Sequence, residues 1–204
     1  MNQPIQLFIK ASIFDRERQL IITNDFIEFD NNDLLSAPPT KLLKSNITGL
    51  RHGIKWINGY QFIIGRIYCI DLLTADKEVL EIRLKSIYGI RKQQLTEKYG
   101  KIVNALYDNF FDDISRSYLT QFSEKNDFQI AGISFLQRGI FLNSKSDLIT
   151  WEDVGTKSYS SYYCIFSKSN PTCYKAVEYL NDWNTGVLYS VSRHILMDKG
   201  LYHE

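Results

Sequence analysis

Cysteine is scarce in this chain, and its arrangement argues against two common uses of the residue. The 204 residues include only three cysteines, Cys69, Cys164 and Cys173. Their number is odd and no two of them have C-x-x-C spacing, which argues against a zinc site and against the disulfide framework of a small secreted domain. We therefore expect three reduced, buried thiols.

Long apolar runs and an excess of one charge are also missing. The stretch Met1 to Leu20 carries five charged residues, so it cannot form the apolar core of a signal peptide. No apolar run approaches the roughly 18 residues that a membrane-spanning helix needs. The 24 basic and 23 acidic residues leave a net charge of +1, which argues against nucleic acid as the main partner. These features predict a cytoplasmic protein that does not bind nucleic acid.

Catalytic and metal-binding motifs are absent. The chain has no glycine-rich phosphate loop and no G-x-S-x-G nucleophile elbow. The acidic pairs Asp112, Asp113 and Glu152, Asp153 consist of neighbours whose side chains point to different sides of an element. No metal-ligand spacing relates the three histidines, which we expect at the surface or at helix ends: His52, His194 and His203. We predict a protein that is not an enzyme and has no cofactor and no metal.

A long amphipathic helix is the strongest periodic feature that the sequence does contain. Between Arg91 and Glu124 the apolar residues recur at the three- and four-residue steps of a helix stripe. Many of them are aromatic, so the helix is expected to bury a large part of the core, with Phe110 as a core residue. The acidic pair Asp112, Asp113 marks a point where the helix bends or breaks, and the sequence leaves its continuity open.

The rest of the chain has strand patterns arranged twice in the same order. Before the helix, strands are predicted at Ile5 to Ile9 and at the following segments: Leu20 to Thr23, Phe26 to Phe29, Ile47 to Ile57, Tyr60 to Leu73 and Glu78 to Leu84. After it, they are predicted at Phe128 to Phe135, Ile140 to Leu142, Leu148 to Val154 and Tyr159 to Phe166. Cys173 to Leu180 fits a strand or a helix, and we favour a strand. Asn184 to Lys199 then reads as a helix. This repeated order suggests an internal duplication.

Several antiparallel strands followed by one amphipathic helix resemble a pleckstrin-homology-like (PH-like) domain of the bacterial type. The resemblance rests on the hairpin at Ile22 to Phe29, the hairpin at Ile133 to Leu142, and the stretch Leu148 to Val154 with its Trp and acidic pair. It implies a mainly β (α+β) fold of two antiparallel β-barrels, each closed by a C-terminal helix, the first helix being long. The corresponding domains are residues 1–124 and a smaller domain at 125–204.

Two functions follow from these expectations. The first is a non-catalytic binding or scaffolding protein that holds a protein partner. The second is binding of anionic lipid or phosphoinositide headgroups at a membrane surface. Here Lys10, Arg16 and Arg18 resemble the basic residues that some PH domains place around their first hairpin, and they are the candidate ligand-binding residues. The alternative for these three is a charged turn in which Asp15 and Glu17 neutralise the arginines.

Overall fold

The computed structural model of the chain describes residues 4–10, 15–32, 38–144 and 146–202. The chain divides into two compact units, Met1–Phe111 and Asp112–Glu204. The domain boundary predicted after residue 124 stays a prediction. Within the described ranges, no helix is both long enough and apolar enough to span a membrane.

The first unit contains two antiparallel sheets that follow one another along the chain. The first sheet has the order β1-β2-β3-β4, and the second has the order β5-β6-β7. The strands are β1 (Ile5–Ile9), β2 (Arg18–Ile22), β3 (Phe26–Phe29), β4 (Thr40–Leu43), β5 (Ile47–Asn58), β6 (Ile63–Thr74) and β7 (Val79–Ile87). A 3-10 turn, Lys44–Asn46, separates β4 from β5. Alternating apolar residues make one face of these strands suitable for burial, and β7 shows the alternation over most of its length.

Helix α1 (Lys92–Leu106) covers one face of the second sheet and contacts β6 and β7. Its buried stripe includes Leu95, Ile102 and Leu106, at the spacing expected of one helix face. Tyr68 in β6 is fully buried beneath the helix, and its hydroxyl pairs with the Thr96 hydroxyl at 2.6 Å. The helix therefore buries a large part of the core against the second sheet, as the sequence predicted.

A π-helical segment, Tyr107–Phe111, follows α1 directly. Phe110 and Phe111 are 1% and 0% exposed, which confirms that Phe110 is a core residue. The buried Asn109 side chain donates to the Ala105 carbonyl at 2.7 Å, and this contact accompanies the departure from regular α-helical bonding. Helix α2 (Asp112–Ser123) begins at the next residue, so the irregularity predicted at Asp112, Asp113 lies just before that pair.

The second unit repeats the order of elements found in the first. Helix α2 is followed by two antiparallel sheets with the orders β8-β9-β10-β11 and β12-β13-β14, and by helix α3. The strands are β8 (Phe128–Ile130), β9 (Ile133–Leu136), β10 (Gly139–Phe141), β11 (Ile149–Thr150), β12 (Val154–Ser158), β13 (Tyr162–Ser167) and β14 (Tyr174–Glu178). Helix α3 (Thr185–Asp198) confirms the helix predicted at Asn184 to Lys199, and β14 confirms that the preceding segment is a strand.

The two units share a buried tyrosine that is held by the following helix. In the second unit Tyr163 of β13 is 1% exposed, and its hydroxyl lies 2.8 Å from that of Ser192 in α3. Ser192 donates to the Leu188 carbonyl one helical turn earlier, as Thr96 donates to the Lys92 carbonyl in the first unit. The offset predicted between the repeats, 95 residues from Cys69 to Cys164, is also the separation of Tyr68 from Tyr163.

The prediction of two closed PH-like barrels is wrong. The described residues form four separate antiparallel sheets, and no ladder of hydrogen bonds joins the two sheets of either unit. A barrel requires continuous strand pairing around its circumference. The 3-10 turns Lys44–Asn46 and Trp151–Asp153 interrupt the extended chain where each unit passes from its first sheet to its second. The family resemblance stays a prediction, without the barrels it implied.

The single strand predicted at Leu148 to Val154 is also wrong, because Trp151–Asp153 is a 3-10 turn. The turn is stabilised by the side chains at its two ends. Buried Trp151 donates its indole N–H to the Leu136 carbonyl at 3.0 Å. Asp153 accepts hydrogen bonds from the Ser167 hydroxyl and from the Ser169 backbone N–H, and these bonds hold the Asp153 pKa below its usual value. The tryptophan and the acidic residue therefore interrupt the strand that their pattern predicts.

Candidate functional site

The basic residues predicted to bind lipid lie around the connection between β1 and β2. Ile9 pairs with Arg18 across these strands, so Lys10 follows β1 directly and Arg18 opens β2. This is the first hairpin of the fold, which is where the PH resemblance placed the three residues. Lys10 is half-buried. The structure brings Arg16 and Arg18 together at this end of the sheet.

Carboxylates already engage both arginines. The Arg16 guanidinium forms a two-pronged ion pair with Asp30, with Nη2 donating to Oδ1 at 2.6 Å, and this pairing raises the Arg16 pKa and lowers that of Asp30. Arg18 pairs with Asp15 at 3.3 Å and donates to the Asn32 carbonyl at 3.0 Å. Two arginines and two aspartates carry no net charge. Their role as lipid-binding residues stays a prediction, and the local field does not favour an anion.

Charge also balances in the cavity beside Arg18. This cavity, of about 150 Å³, is lined by Ile9, Phe29 and Asn31 and by two acidic and two basic residues: Asp15, Glu81, Arg18 and Arg83. Arg83 and Arg51 both pair with Asp71, which is only 3% exposed. A buried carboxylate held between two arginines is a structural network, because ion pairs compensate the cost of burying its charge.

A different region of the first unit shows a concentration of exposed apolar side chains. The turn between β5 and β6 and the turn between β7 and α1 lie at the same end of the second sheet, because Gly65 near the start of β6 pairs with Ile87 at the end of β7. The Tyr88 N–H donates to the Ile64 carbonyl at 2.8 Å, which holds the two turns together. Six large side chains at this end are more than 45% exposed, and we call them the tip surface: Trp56, Tyr60, Phe62, Ile63, Tyr88 and Ile90.

The exposure within the tip surface is extreme for aromatic residues. Tyr60 is 98% exposed, Tyr88 is 73% exposed and Phe62 is 66% exposed. Single exposed apolar residues are ordinary on soluble proteins, but a contiguous patch marks an interaction site. Tyr88 also has a left-handed backbone, with φ of 50°, which is uncommon for a bulky residue. The fold holds these side chains in solvent with a defined backbone geometry.

The charged side chains of the two segments that carry the tip surface are all basic. Residues 52–69 and 85–96, which form this end of the unit, contain no aspartate or glutamate. They contain five basic residues, which we call the tip cations: Lys55, Arg66, Lys85, Arg91 and Lys92. A chain with a net charge of +1 therefore has one strongly cationic end.

Pairing across the sheet divides the tip cations between its two faces. Trp56, Arg66 and Ser86 are opposite one another on β5, β6 and β7, while Lys55 and Lys85 flank Ile67 one position further from the turn. Because side chains alternate along a strand, Lys55 and Lys85 lie on the face opposite Arg66. The Arg66 guanidinium stacks over the Trp56 ring at 4.5 Å, a cation–π contact that fixes its orientation. Arg66 is therefore a positioned cation on the face covered by α1.

His52 is a half-buried titratable group of the same sheet. Its Nδ1 lies 2.7 Å from the Tyr99 hydroxyl and its Nε2 lies 3.3 Å from the Tyr107 hydroxyl. Burial lowers the His52 pKa to about 4 and raises the Tyr99 pKa above its ordinary value. His52 lies within β5 and is half-buried, so the helix-end alternative of the prediction is wrong for this residue. His194 is exposed in α3 as predicted, and His203 lies outside the described residues. No group of metal-ligating residues occurs in the described part of the chain.

The thiols match the sequence prediction in part. All three cysteines are free, and Cys69 is buried, as expected. Cys164 and Cys173 are half-buried. Burial raises the pKa of the Cys69 and Cys164 thiols, which disfavours the reactive thiolate. The surroundings of these two thiols therefore do not suit a nucleophile.

Sequence patterns do not predict the tip surface, although they contain two signals of it. The first signal is a pair of aromatic residues, Tyr60 and Phe62, in the segment Tyr60 to Leu73, which the pattern assigns to a strand and hence to half-buried positions. The structure places both in the turn, since β6 begins at Ile63. The acid-free segments on either side of this turn are the second signal. Together, aromatic turn residues and basic flanking segments indicate an interaction surface.

Comparisons of the chain with protein-family models, with curated proteins and with solved structures find no match.

Proposed function

We propose that this chain is a non-catalytic cytoplasmic binding protein that attaches to anionic membrane surfaces through the tip surface and the tip cations of its first unit. The observation that carries the proposal is the combination of three highly exposed aromatic residues with five basic residues and no acidic ones in the described segments 52–69 and 85–96. Aromatic rings with polar edges suit the boundary between headgroups and acyl chains, and basic residues suit anionic headgroups.

Insertion of the apolar side chains contributes measurably to membrane binding, but too little to attach the protein without a second attraction. Burial of a large apolar side chain contributes about 1.5 to 3 kcal/mol. Phe62 and Ile63 offer the most apolar surface, while Tyr60 and Tyr88 keep a hydroxyl that stays near water. Partial insertion of these four side chains contributes several kcal/mol, which corresponds to weak and reversible membrane binding.

Electrostatic attraction is the second contribution, and it makes the binding selective for anionic lipids. Each Lys or Arg close to an anionic leaflet contributes about 1 kcal/mol, and the effect decays within a Debye length of about 8 Å at physiological ionic strength. The tip cations therefore add several kcal/mol when the tip faces the membrane. Stable attachment of peripheral proteins generally requires two such attractions, and the tip provides both at one end of the sheet.

The alternative predicted from the sequence, a protein partner, stays a prediction. The membrane is favoured because the charged side chains in the segments that carry the tip surface, the tip cations, are all of one sign. Protein interfaces are depleted of lysine relative to the rest of the surface, whereas three of the five tip cations are lysines. A flexible lysine also suits a fluid anionic surface better than a fixed carboxylate partner.

Vesicle co-sedimentation tests the proposal. The wild-type protein is expected to sediment with phosphatidylcholine vesicles that contain phosphatidylserine, and to remain in solution with pure phosphatidylcholine. Sedimentation is expected to fall as salt rises, because the interaction is screened. The double variant Tyr60→Ser, Phe62→Ser should lose most of the binding, since both residues lie in an exposed turn and their replacement leaves the core intact.

The matched control is Tyr174→Ser in β14 of the second unit, where the tyrosine is 61% exposed. This variant should sediment as the wild type does. Equal sedimentation with neutral and anionic vesicles would contradict the charge selectivity. Absence of binding to both would refute membrane attachment and leave the protein partner as the remaining prediction.

A further inference from the structure

A half-open cavity of about 150 Å³ lies beside the tip surface, between the start of β6 and the start of α1. The charged residues of its described wall are Arg66 and Lys92, and the hydroxyl-bearing ones are Ser86 and Tyr88. The remaining wall is backbone and apolar side chain from Ile63, Ile64, Gly65 and Gly89. The cavity therefore combines two cations with two hydroxyl-bearing side chains and exposed main chain.

The charge of this cavity distinguishes it from two other cavities of similar size. The described wall of the cavity beside Arg18 has two acidic and two basic residues, so these charges cancel. In a cavity of about 170 Å³ in the second unit, the described wall is largely apolar, with side chains such as Phe166 and Leu196, and its charge comes from Lys168. The described wall of the cavity at Arg66 and Lys92 has two positive charges and no negative one, so it favours an anion.

The size of the cavity limits what that anion can be. Pockets for whole small molecules have volumes of roughly 300 to 1,000 Å³, so a cavity of about 150 Å³ accommodates one compact group. A phosphate monoester carries about 1.5 to 2 negative charges at pH 7 and offers three strong acceptor oxygens. Two cations match that charge, whereas a phosphodiester with a single charge would leave one of them uncompensated.

The donors are partly preorganised. The stack of Arg66 on Trp56 at 4.5 Å fixes the plane of the guanidinium, which can donate two parallel hydrogen bonds to a phosphate. Ser86 is 2% exposed and its hydroxyl donates to the Ile90 carbonyl at 2.9 Å, which secures the turn that carries Tyr88 and Gly89. A Cβ atom at Gly89 would meet nothing within 4 Å, so the main chain there is open to a ligand.

On the basis of the proposed membrane function, we propose that the cavity lined by Arg66 and Lys92 binds the phosphate monoester of a lipid headgroup. The tip surface inserts beside it, so a headgroup in the cavity would lie at the same level as the inserted aromatic side chains. This binding adds a specific headgroup chemistry to a general attraction for anionic membranes. A soluble phosphate monoester shares this chemistry and is the second source to be tested.

The experiment compares two vesicle compositions of equal zeta potential, one with phosphatidylserine and one with phosphatidic acid, which has a phosphate monoester. The wild-type protein should bind the phosphatidic acid vesicles about tenfold more tightly, because the monoester offers one more charged acceptor oxygen than a phosphodiester, and one additional charge-assisted hydrogen bond corresponds to about tenfold in affinity. The variant Arg66→Gln, Lys92→Gln should bind the two compositions equally. The control Lys55→Gln, Lys85→Gln removes the same charge from the opposite face. It should bind both vesicle compositions more weakly than the wild type and still prefer phosphatidic acid.

A second measurement separates the lipid from a soluble source. Glycerol 3-phosphate is titrated into the protein while backbone amide resonances are followed by NMR, with shifts expected at Gly65 and Gly89. Equal binding of the two vesicle compositions by the wild type, with no amide shifts, would overturn the phosphate cavity and leave membrane attachment intact. Amide shifts without binding to any vesicle would overturn membrane attachment and retain the cavity as a site for a soluble phosphate monoester.

Discussion

The half-buried histidine of β5 makes the stability of the first unit depend on pH in a defined window. His52 lies between the hydroxyl groups of Tyr99 and Tyr107, and burial holds its pKa at about 4, below the ordinary value of 6.5. The folded protein therefore keeps the imidazole neutral at pH values where the unfolded chain takes up a proton. Stability is fully present above pH 6.5 and falls as the pH decreases from 6.5 toward 4.

The size of the effect follows from the difference between the two pKa values. The His52 pKa is 6.5 in the unfolded chain and about 4 in the folded protein. Each unit of this difference corresponds to roughly 1.4 kcal/mol, so acidification decreases the free energy of unfolding by about 3 kcal/mol. Domains commonly have about 5 to 15 kcal/mol in total, so the loss is easy to measure. Most of it develops between about pH 6 and pH 4, and stability changes little further from this source below pH 4.

The assay is urea unfolding of the wild type and of His52→Gln at several pH values from neutral down to about 4.5. Glutamine is neutral throughout this range and its amide oxygen can accept a hydrogen bond from a tyrosine, so the variant should lose less stability on acidification than the wild type. Asp30 and Asp153 also lose favourable interactions as the pH falls, but they do so in both proteins. The control His194→Gln, in an exposed part of α3, should follow the wild type. Parallel pH profiles for wild type and His52→Gln would refute the reasoning.

Two further predictions concern the core. Phe110→Ala should decrease the free energy of unfolding by about 3 to 5 kcal/mol, because the ring is 1% exposed and its loss leaves a cavity. A melting temperature within a degree or two of the wild type would show that the ring is not part of the core. Tyr68→Phe and Tyr163→Phe should each cost about 1 kcal/mol in urea unfolding, since each removes one hydroxyl that is hydrogen-bonded to the following helix. Unequal costs, with one variant neutral, would show that the two tyrosines do not have equivalent roles.

Local periodicity predicts much of the secondary structure. The stripe of apolar residues between Arg91 and Glu124 corresponds to the helical segment from Lys92 to Ser123, and strict alternation corresponds to β7. The helix at Thr185–Asp198 follows from its stripe and from the repeated order of elements. These features depend on residues a few positions apart, which a single sequence displays directly.

The arrangement of the sheets cannot be obtained in the same way. Whether strands close into a barrel depends on hydrogen bonds between residues far apart in the chain. The 3-10 turn at Trp151–Asp153 rests on contacts of Trp151 with Leu136 and of Asp153 with Ser167, fifteen and fourteen residues away. Nothing within the stretch Leu148 to Val154 reveals these partners.

The candidate site cannot be predicted from the sequence for a related reason. Lys10, Arg16 and Arg18 are close in sequence, but the carboxylate that neutralises Arg16 is Asp30, which follows β3. The tip cations come from three strands, a turn and a helix, and only pairing across β5, β6 and β7 shows that they share one end of the sheet. Exposure of Tyr60 and Phe62 depends on the strand boundary at Ile63, and boundaries are what sequence patterns locate least well.

The central claim is that the tip of the first unit attaches the protein to anionic membranes. The most direct measurement is the depth of position 62 in the bilayer, obtained from the variant Phe62→Trp on vesicles that carry brominated acyl chains and phosphatidylserine. The wild type, which has Trp56 in the same tip surface, supplies the baseline of tryptophan quenching. The predicted result is quenching of the variant well beyond that baseline, weakened by high salt and absent on brominated vesicles of phosphatidylcholine alone. A variant that sediments with anionic vesicles while its introduced indole remains unquenched would contradict the claim, since contact would then occur through another surface.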